Sequence, residues 1–488
     1  MDPGLDTQTR SPLSITSLCC CWGVAMPHPD ENAAECIAGV RHRVGCLFLP
    51  TTSQTRDFVA FATRFFQENF SPLLDVHNSV EKWLDGSDYS AAVKAKLRAM
   101  FAENPQEVWQ GLLRAFGCFI KDEHYDEMKA PRQICAPDDW YKVFFGPITK
   151  EIEKVVYAHP ACIKHLPTKD RPEYVENVLG AGGCVIEGDD GLFYHPRVGY
   201  VVSDHSCFES AYTPYLKKAF YLAFYVHMLS ASLDGAEFIK MKETADVGVC
   251  ILVFKRQGVR IKIKARTKSG SMDTSLMNFL LNLVVIEYTL QNLNQGVTCD
   301  KAWFERLGFR MKLKQVARPG DASFCGLVYS DSYQTVRDPM TTLAKLGWLK
   351  KQYVGCSDST RRNLTRLKCL SFLFECPHCP VLSPLCRKVV AETALVADRQ
   401  LFRYMTTWEK EWFRLNRYDY PEFCPTAETR SFFAEYYQIP REWQLKLESA
   451  IENWSLGFLP AEFEKLPFPD IWQEMWDSNV VPTRKPNV

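Results

Sequence analysis

The sequence lacks any surplus of charge: 58 Lys and Arg stand against 58 Asp and Glu, for a formal net charge of +0. Nothing in this total announces a nucleic-acid binder, and nothing in it excludes one. A locally basic channel is all that phosphate neutralisation needs. Long hydrophobic runs are missing too. The nearest, 219–233 and 276–290, fall short of the ~20 apolar residues that span a bilayer. The first carries His227 and the second Asn278, Asn282 and Glu287, so both read as buried helices and no transmembrane segment is expected. No charged n-region followed by an apolar run and a cleavage site opens the sequence. The 19 cysteines therefore read as reduced core residues of a cytosolic protein. Internal repeats and low-complexity blocks are absent, which excludes solenoids and arrays.

What is present is an apolar fraction of 46%, ample for a large core. Residues 1–40, rich in Ser, Thr, Pro, Asp and Cys, read as a loosely ordered tail. Cys19-Cys20-Cys21 lies beside no membrane segment and reads as chance, not a lipidation site. From 57 to 70 a helical period puts Phe58, Phe61, Phe65 and Phe66 on one face. Helices are expected at 91–101 and 105–116, capped by Ser87 and Asn104, before a strand at Cys118-Phe119-Ile120. Between 183 and 330 strands and helices mix. Short strands are expected at 184–187, 200–203, 308–316 and 323–329, and long helices at 212–233 and 272–293. A hairpin is expected at 247–254 and 259–265, around Gln257-Gly258. From 331 the pattern is helical.

Five segments carry chemistry. Glu187-Gly188-Asp189-Asp190-Gly191, between apolar runs, describes a tight turn whose vicinal carboxylates offer hard oxygens to Mg²⁺. Taken alone it is equally a solvated turn. In Val201-Val202-Ser203-Asp204-His205-Ser206-Cys207-Phe208-Glu209, a strand ends on Asp204 with Glu209 following. Asp204 can share metal with the turn, and two ions would stabilise an in-line displacement; the bland alternative is a helix cap. Lys268 to Asn278 pairs a Ser269-Gly270 loop with a helix bearing Thr274 and Asn278 one turn apart, a spacing that suits a ribose 2′-hydroxyl. Lys121, Lys129 and Arg132 could present cations to a triphosphate. Lys312, in preference to Lys314, could protonate a departing pyrophosphate. Arg171 is a further candidate for a phosphate contact. Cys376 and Cys379, near Cys369 and Cys386, form half of a zinc pattern without a second pair at the usual spacing, and read as incidental core cysteines instead of structural zinc ligands.

Together these segments resemble viral RNA-dependent RNA polymerases of the tombus-like and noda-like branch of positive-strand RNA viruses, over about residues 115–330. The order departs from most of that family: Gly188-Asp189-Asp190 precedes Asp204, as in permutotetravirus-like and birnavirus-like polymerases. The rival candidate for a displaced carboxylate is Asp300. The resemblance implies an α+β right-hand fold, with the tail at 1–40, fingers at 41–182, a palm of antiparallel sheet and helices at 183–330, and a helical thumb at 331–488. It implies nucleotidyl transfer from NTPs to an RNA 3′-hydroxyl. Two Mg²⁺ or Mn²⁺ ions would sit on Asp189, Asp190 and Asp204, and Lys121, Lys129, Arg132, Arg171, Glu209, Ser269, Gly270, Thr274 and Asn278 would surround the nucleotide. RNA template and product would be partners in the host cytoplasm, in replication complexes held at host membranes through other factors. The alternatives are a catalytically inactive palm-fold scaffold that binds RNA, and a reverse transcriptase.

Overall fold

The computed structural model describes residues 18–45, 52–74, 80–87, 89–103, 114–232, 235–326, 328–349, 351–353, 355–393, 401, 404–405, 410 and 420–479. The fold is α+β. Two four-stranded sheets are built from β1 (Ala115–Ile120), β2 (Gln133–Pro137), β3 (Cys184–Glu187), β4 (Asp190–His195), β5 (Gly199–His205), β6 (Val249–Phe254), β7 (Val259–Lys264) and β8 (Met311–Val316). The helices that position them are α1 (Ala33–Arg43), α2 (Ser53–Asn69), α3 (Asp139–Val156), α4 (Arg171–Gly180), α5 (Gly235–Asp246), α6 (Thr274–Asn294) and α7 (Lys301–Leu307).

The second sheet, ordered β3-β4-β5-β8, is antiparallel throughout. Alternation sends Cys184, Ile186, Phe193 and Val201 into the main core with α6, and Val185, Leu192 and Val202 to the other side against α4 and Phe324. Both faces are covered, so polar chemistry is confined to the strand ends. α6 is buried on nearly all sides, as expected of a helix apolar around its circumference. Gly191 allows it to approach: a Cβ there would stand 2.5 Å from Ile286 Cδ1 and 2.8 Å from Ser203 Oγ.

The first sheet, ordered β2-β1-β6-β7, mixes directions, with β1 and β6 parallel. One face packs Phe116, Cys118, Ile120, Cys135, Leu252 and Phe254 into the main core. The other face keeps Phe119 and Val249 exposed, at 53% and 45%.

Beneath it lies a buried charge cluster. Asp246 at the end of α5 and Asp273 before α6 meet Lys242 (3.1 and 3.0 Å), and Lys268 reaches Asp246 at 2.6 Å. Tyr141 and Tyr225 complete the shell at 3.0 Å from Asp246 and 2.7 Å from Asp273, and Tyr221 lies 2.9 Å from Asp246. Both carboxyls are held below their usual range despite burial, by Lys242 first among the cations. Lys217 is pushed down to about 7 by burial and packs 3.5 Å above the Tyr221 ring. Once deprotonated, it leaves two cations facing two carboxylates.

A separate core forms among the C-terminal helices. Cys19, Cys21, Val24 and Met26 insert into it, and Cys19–Cys20 pairs in parallel with Gly457–Phe458. The expectation of a loose tail therefore fails for residues 18–40: Cys19 to Met26 find a partner almost the whole chain away, and Cys36 and Val40 join the main core. The expected helix at 212–233 begins at Pro214, capped by Thr213, passes through a π-helical turn over 217–222 and ends at Met228. Of the helix expected at 105–116, residues 105–113 lie outside the described residues, as does the cap Asn104, while Ala115 and Phe116 open β1. Ser90, not Ser87, accepts the first-turn amide of the helix at Ala91–Glu103. The strand expected at 323–329 shrinks to Val328–Tyr329, because Ser323 and Cys325 adopt left-handed φ of +46° and +55°.

Candidate active site

The short turn between β3 and β4 is Gly188-Asp189, with Glu187 paired to Asp190. Gly188 has φ +64°, the left-handed region in which glycine carries no steric cost. Across the next ladder Asp190 is the direct partner of Asp204, and Asp204 of Lys312. The His205 amide donates to the Asp189 carbonyl at 3.3 Å, tying the turn to the end of β5. The hairpin and the ladder thus bring Asp189, Asp190 and Asp204 to one end of one sheet.

Their electrostatics are those of crowded like charges. Asp189 keeps solvent contact at the tip of the turn, yet surrounding protein raises its pKa, with Asp204 and Glu209 adding to the rise and Arg132 opposing it. Asp190 is pushed up to about 7, by burial first and then by Asp189, Asp204 and Glu187. Lys312 Nζ lies 3.3 Å from Asp204 Oδ2, but both side chains are open to solvent, so screening leaves this pair weak. A cleft of about 980 Å³ beside it is lined by Lys301, Ser206, Arg310 and Lys312 among others.

The expected cations divide. Lys121 and Arg132 share Glu123 as counter-ion, at 2.7 and 3.5 Å. Arg132 is also near enough to Asp189 to favour its ionised form. Lys129 rests its ammonium 5.2 Å from the Tyr125 ring centroid. Arg171 departs from the expectation of a phosphate contact. It is buried, and its Nη1 donates to Glu187 Oε2 at 2.9 Å while Nε donates to the Leu166 carbonyl, so it braces the strand leading into the turn.

The loop at 269–270 docks onto β2. Ser269 Oγ donates to the Gln133 carbonyl at 2.8 Å and accepts from the Cys135 amide at 3.2 Å. A Cβ on Gly270 would stand 2.8 Å from the Cys135 carbonyl oxygen, so a side chain there would force the two segments apart. Thr274 Oγ1 donates to the Lys268 carbonyl, closing the turn into α6. Asn278 lies 3.5 Å from the Tyr212 hydroxyl. Asp300 is the N-cap of α7, accepting from the Trp303 amide at 2.8 Å, and so is occupied as a cap.

Two contributors went unforeseen. Asn282 Nδ2 donates to the Gly188 carbonyl at 3.3 Å, fixing the turn from α6. It continues the series 274, 278, 282 at helical spacing, so periodicity could have found it. Arg43 Nη1 reaches both carboxylate oxygens of Glu209, at 2.8 and 3.0 Å. No local signal joins residues this far apart in the chain.

Asp189, Asp190 and Asp204 supply the hard oxygens that Mg²⁺ or Mn²⁺ takes. Among the described residues, however, no group of three or more His, Cys, Asp or Glu is gathered closely enough to hold a metal ion as it stands. Cys369, Cys376, Cys379 and Cys386 sit fully buried in the C-terminal core, where burial pushes the Cys376 thiol up to about 12. No described helix is long and apolar enough to cross a membrane. Comparison with protein-family models gives no match for this chain. Comparison with curated proteins gives none either.

Proposed function

We propose that the chain is a nucleotidyl transferase whose reaction centre is the end of the second sheet, where Asp190 faces Asp204 and Asp189 caps the turn. More narrowly, the reading is an RNA-directed RNA polymerase of right-hand shape, with the second sheet and α6 as palm, the first sheet within the fingers and the C-terminal helices as thumb. The observation that supports it most is the direct pairing of Asp190 with Asp204 across β4 and β5. Three mutually repelling carboxylates at one sheet end, one titrating at about 7, leave negative charge that divalent cations and their bound phosphates would neutralise.

Two Mg²⁺ or Mn²⁺ ions held by Asp189, Asp190 and Asp204 would activate the RNA 3′-hydroxyl and stabilise the leaving pyrophosphate. Lys121, Lys129 and Arg132 would meet the triphosphate, and Lys312 would supply a proton to the leaving group. Glu209, Asn278 and Thr274 would border the ribose, with Ser269 and Gly270 holding their loop in place. The test is extension of a primed RNA template with Mg²⁺ or Mn²⁺. The intact chain should incorporate nucleotides, and Asp189→Ala or Asp204→Ala should remove incorporation with the far-ultraviolet dichroism unchanged. Near-normal incorporation by either variant refutes the reading.

A second reading is a palm-fold scaffold that binds RNA without catalysis. It expects RNA binding without incorporation, and no effect of Asp189→Ala on either.

A further inference from the structure

Among the described residues one face of the first sheet is left open, with Gly117, Phe119 and Val249 exposed. Register sets Arg260, Lys262 and Lys264 of β7 beside Val253, Ile251 and Val249 of β6. Val253 and Ile251 in turn adjoin Gly117 and Ala115 of β1, and Phe119 of β1 faces Ile134 of β2. All three β7 cations are exposed. Among the described residues they make no ion pair, and the face carries no carboxylate. The ladder continues one step beyond the strands, where the Lys121 amide donates to the Arg132 carbonyl at 2.8 Å. One end of the face therefore leads to Arg132, whose charge is felt at Asp189. Along the outer edge of β7 a groove of about 670 Å³ is lined by Arg41, Arg260, Lys262, Lys264 and Arg266, with no acidic residue in its lining.

Cations on an edge strand can serve merely to discourage strand-to-strand aggregation. That purpose does not account for an exposed phenylalanine two strands inward, nor for the exposed Arg41 of α1 across the adjoining groove. An aromatic ring on an open sheet, bordered by cations, has the chemistry of a single-stranded nucleic-acid seat: bases stack on the ring and phosphates follow the charges. Alternate residues of a strand recur at about 6.7 Å, comparable to the step between phosphates in an extended strand.

We propose that this face seats single-stranded RNA, and that the bound strand is the template on its way to Asp189 and Asp204. Only the word template rests on the polymerase reading; RNA binding by the face does not. The test is fluorescence anisotropy of a labelled oligouridylate of about 16 nucleotides with the full chain, with Arg260→Gln/Lys262→Gln/Lys264→Gln, and with Phe119→Ala, each checked for unchanged dichroism. The triple variant should bind more weakly and flatten the slope of log affinity against log salt by about 2, three cations at about 0.7 each. Phe119→Ala should weaken binding roughly five- to tenfold with the slope unchanged. Unaltered affinity and slope in both variants overturn the proposal. So does loss of binding to phosphatidylserine vesicles in the triple variant while its RNA binding is intact, which would assign the face to a membrane. An intact chain that binds as described but extends no primer leaves the seat standing and removes the polymerase reading; one that extends RNA while both variants bind normally does the reverse.

Discussion

Two charge clusters in this molecule are built on opposite principles. Around Asp246 and Asp273 every carboxylate has a lysine and a tyrosine, water is excluded, and both acids are held below their usual range. Around Asp189, Asp190 and Asp204 the acids outnumber nearby cations, the one paired lysine is loosely held, and Asp190 rises to about 7. The first arrangement is complete in itself and braces the loop that carries Ser269 and Gly270. The second is complete only with added positive charge, as expected of groups kept for binding and chemistry instead of for stability.

The contrast can be broken most forcefully at Asp246. Asp246→Asn leaves buried Lys268 and Lys242 short of a partner and should cost about 3–5 kcal/mol by urea denaturation; a cost under 1 kcal/mol would put the buried cluster on the same footing as the open one. Next in size is the response to cation. Mn²⁺ at about ten times its dissociation constant should stabilise the chain by about 1.4 kcal/mol at pH 8. The effect should shrink toward pH 6, because Asp190 must lose its proton to accept the ion. A thermal shift that is equal at both pH values would detach Asp190 from cation binding.

A smaller stabilisation is expected for Asp190→Asn without metal. The folded pKa of about 7 lies above an unfolded value near 3.9, so ionisation penalises the folded state increasingly as pH climbs from about 4 through 7. The variant should gain on the order of 1 kcal/mol at pH 8, discounted for solvent access, and nothing near pH 4. Destabilisation at pH 8 would contradict this. The smallest change belongs to Arg43→Gln. Releasing Glu209 should cost about 0.5–1 kcal/mol of stability, and its distinguishing readout is weaker discrimination between ribo- and deoxyribonucleotides during extension. Unchanged discrimination would make Arg43 a structural brace only.

Much of the open cluster was legible in the chain because its acids stand at the boundaries of short, continuous apolar runs, where a turn or strand end is demanded whatever the connection order. Asn282 was readable from helical spacing and was passed over. Arg43 was not readable, since its meeting with Glu209 depends on how α1 packs against elements far along the sequence. The buried cluster was hidden for a different reason. Lys217, Lys242 and Lys268 look in sequence like solvated residues, which lysines almost always are, and only the enclosing tyrosines mark them as interior. Arg171 is the converse case: a cation near a motif predicts a ligand contact, whereas its Nη1 donates to Glu187 and its Nε to the Leu166 carbonyl.

The pairing of Cys19–Cys20 with Gly457–Phe458 sets a timetable for synthesis. At usual translation rates, tens of seconds separate the emergence of these two segments. Throughout that interval an apolar stretch holding three thiols and Trp22 has no mate. Its protection must come from the nascent chain's surroundings, and the C-terminal helices can close their core only if this stretch is still free to join them.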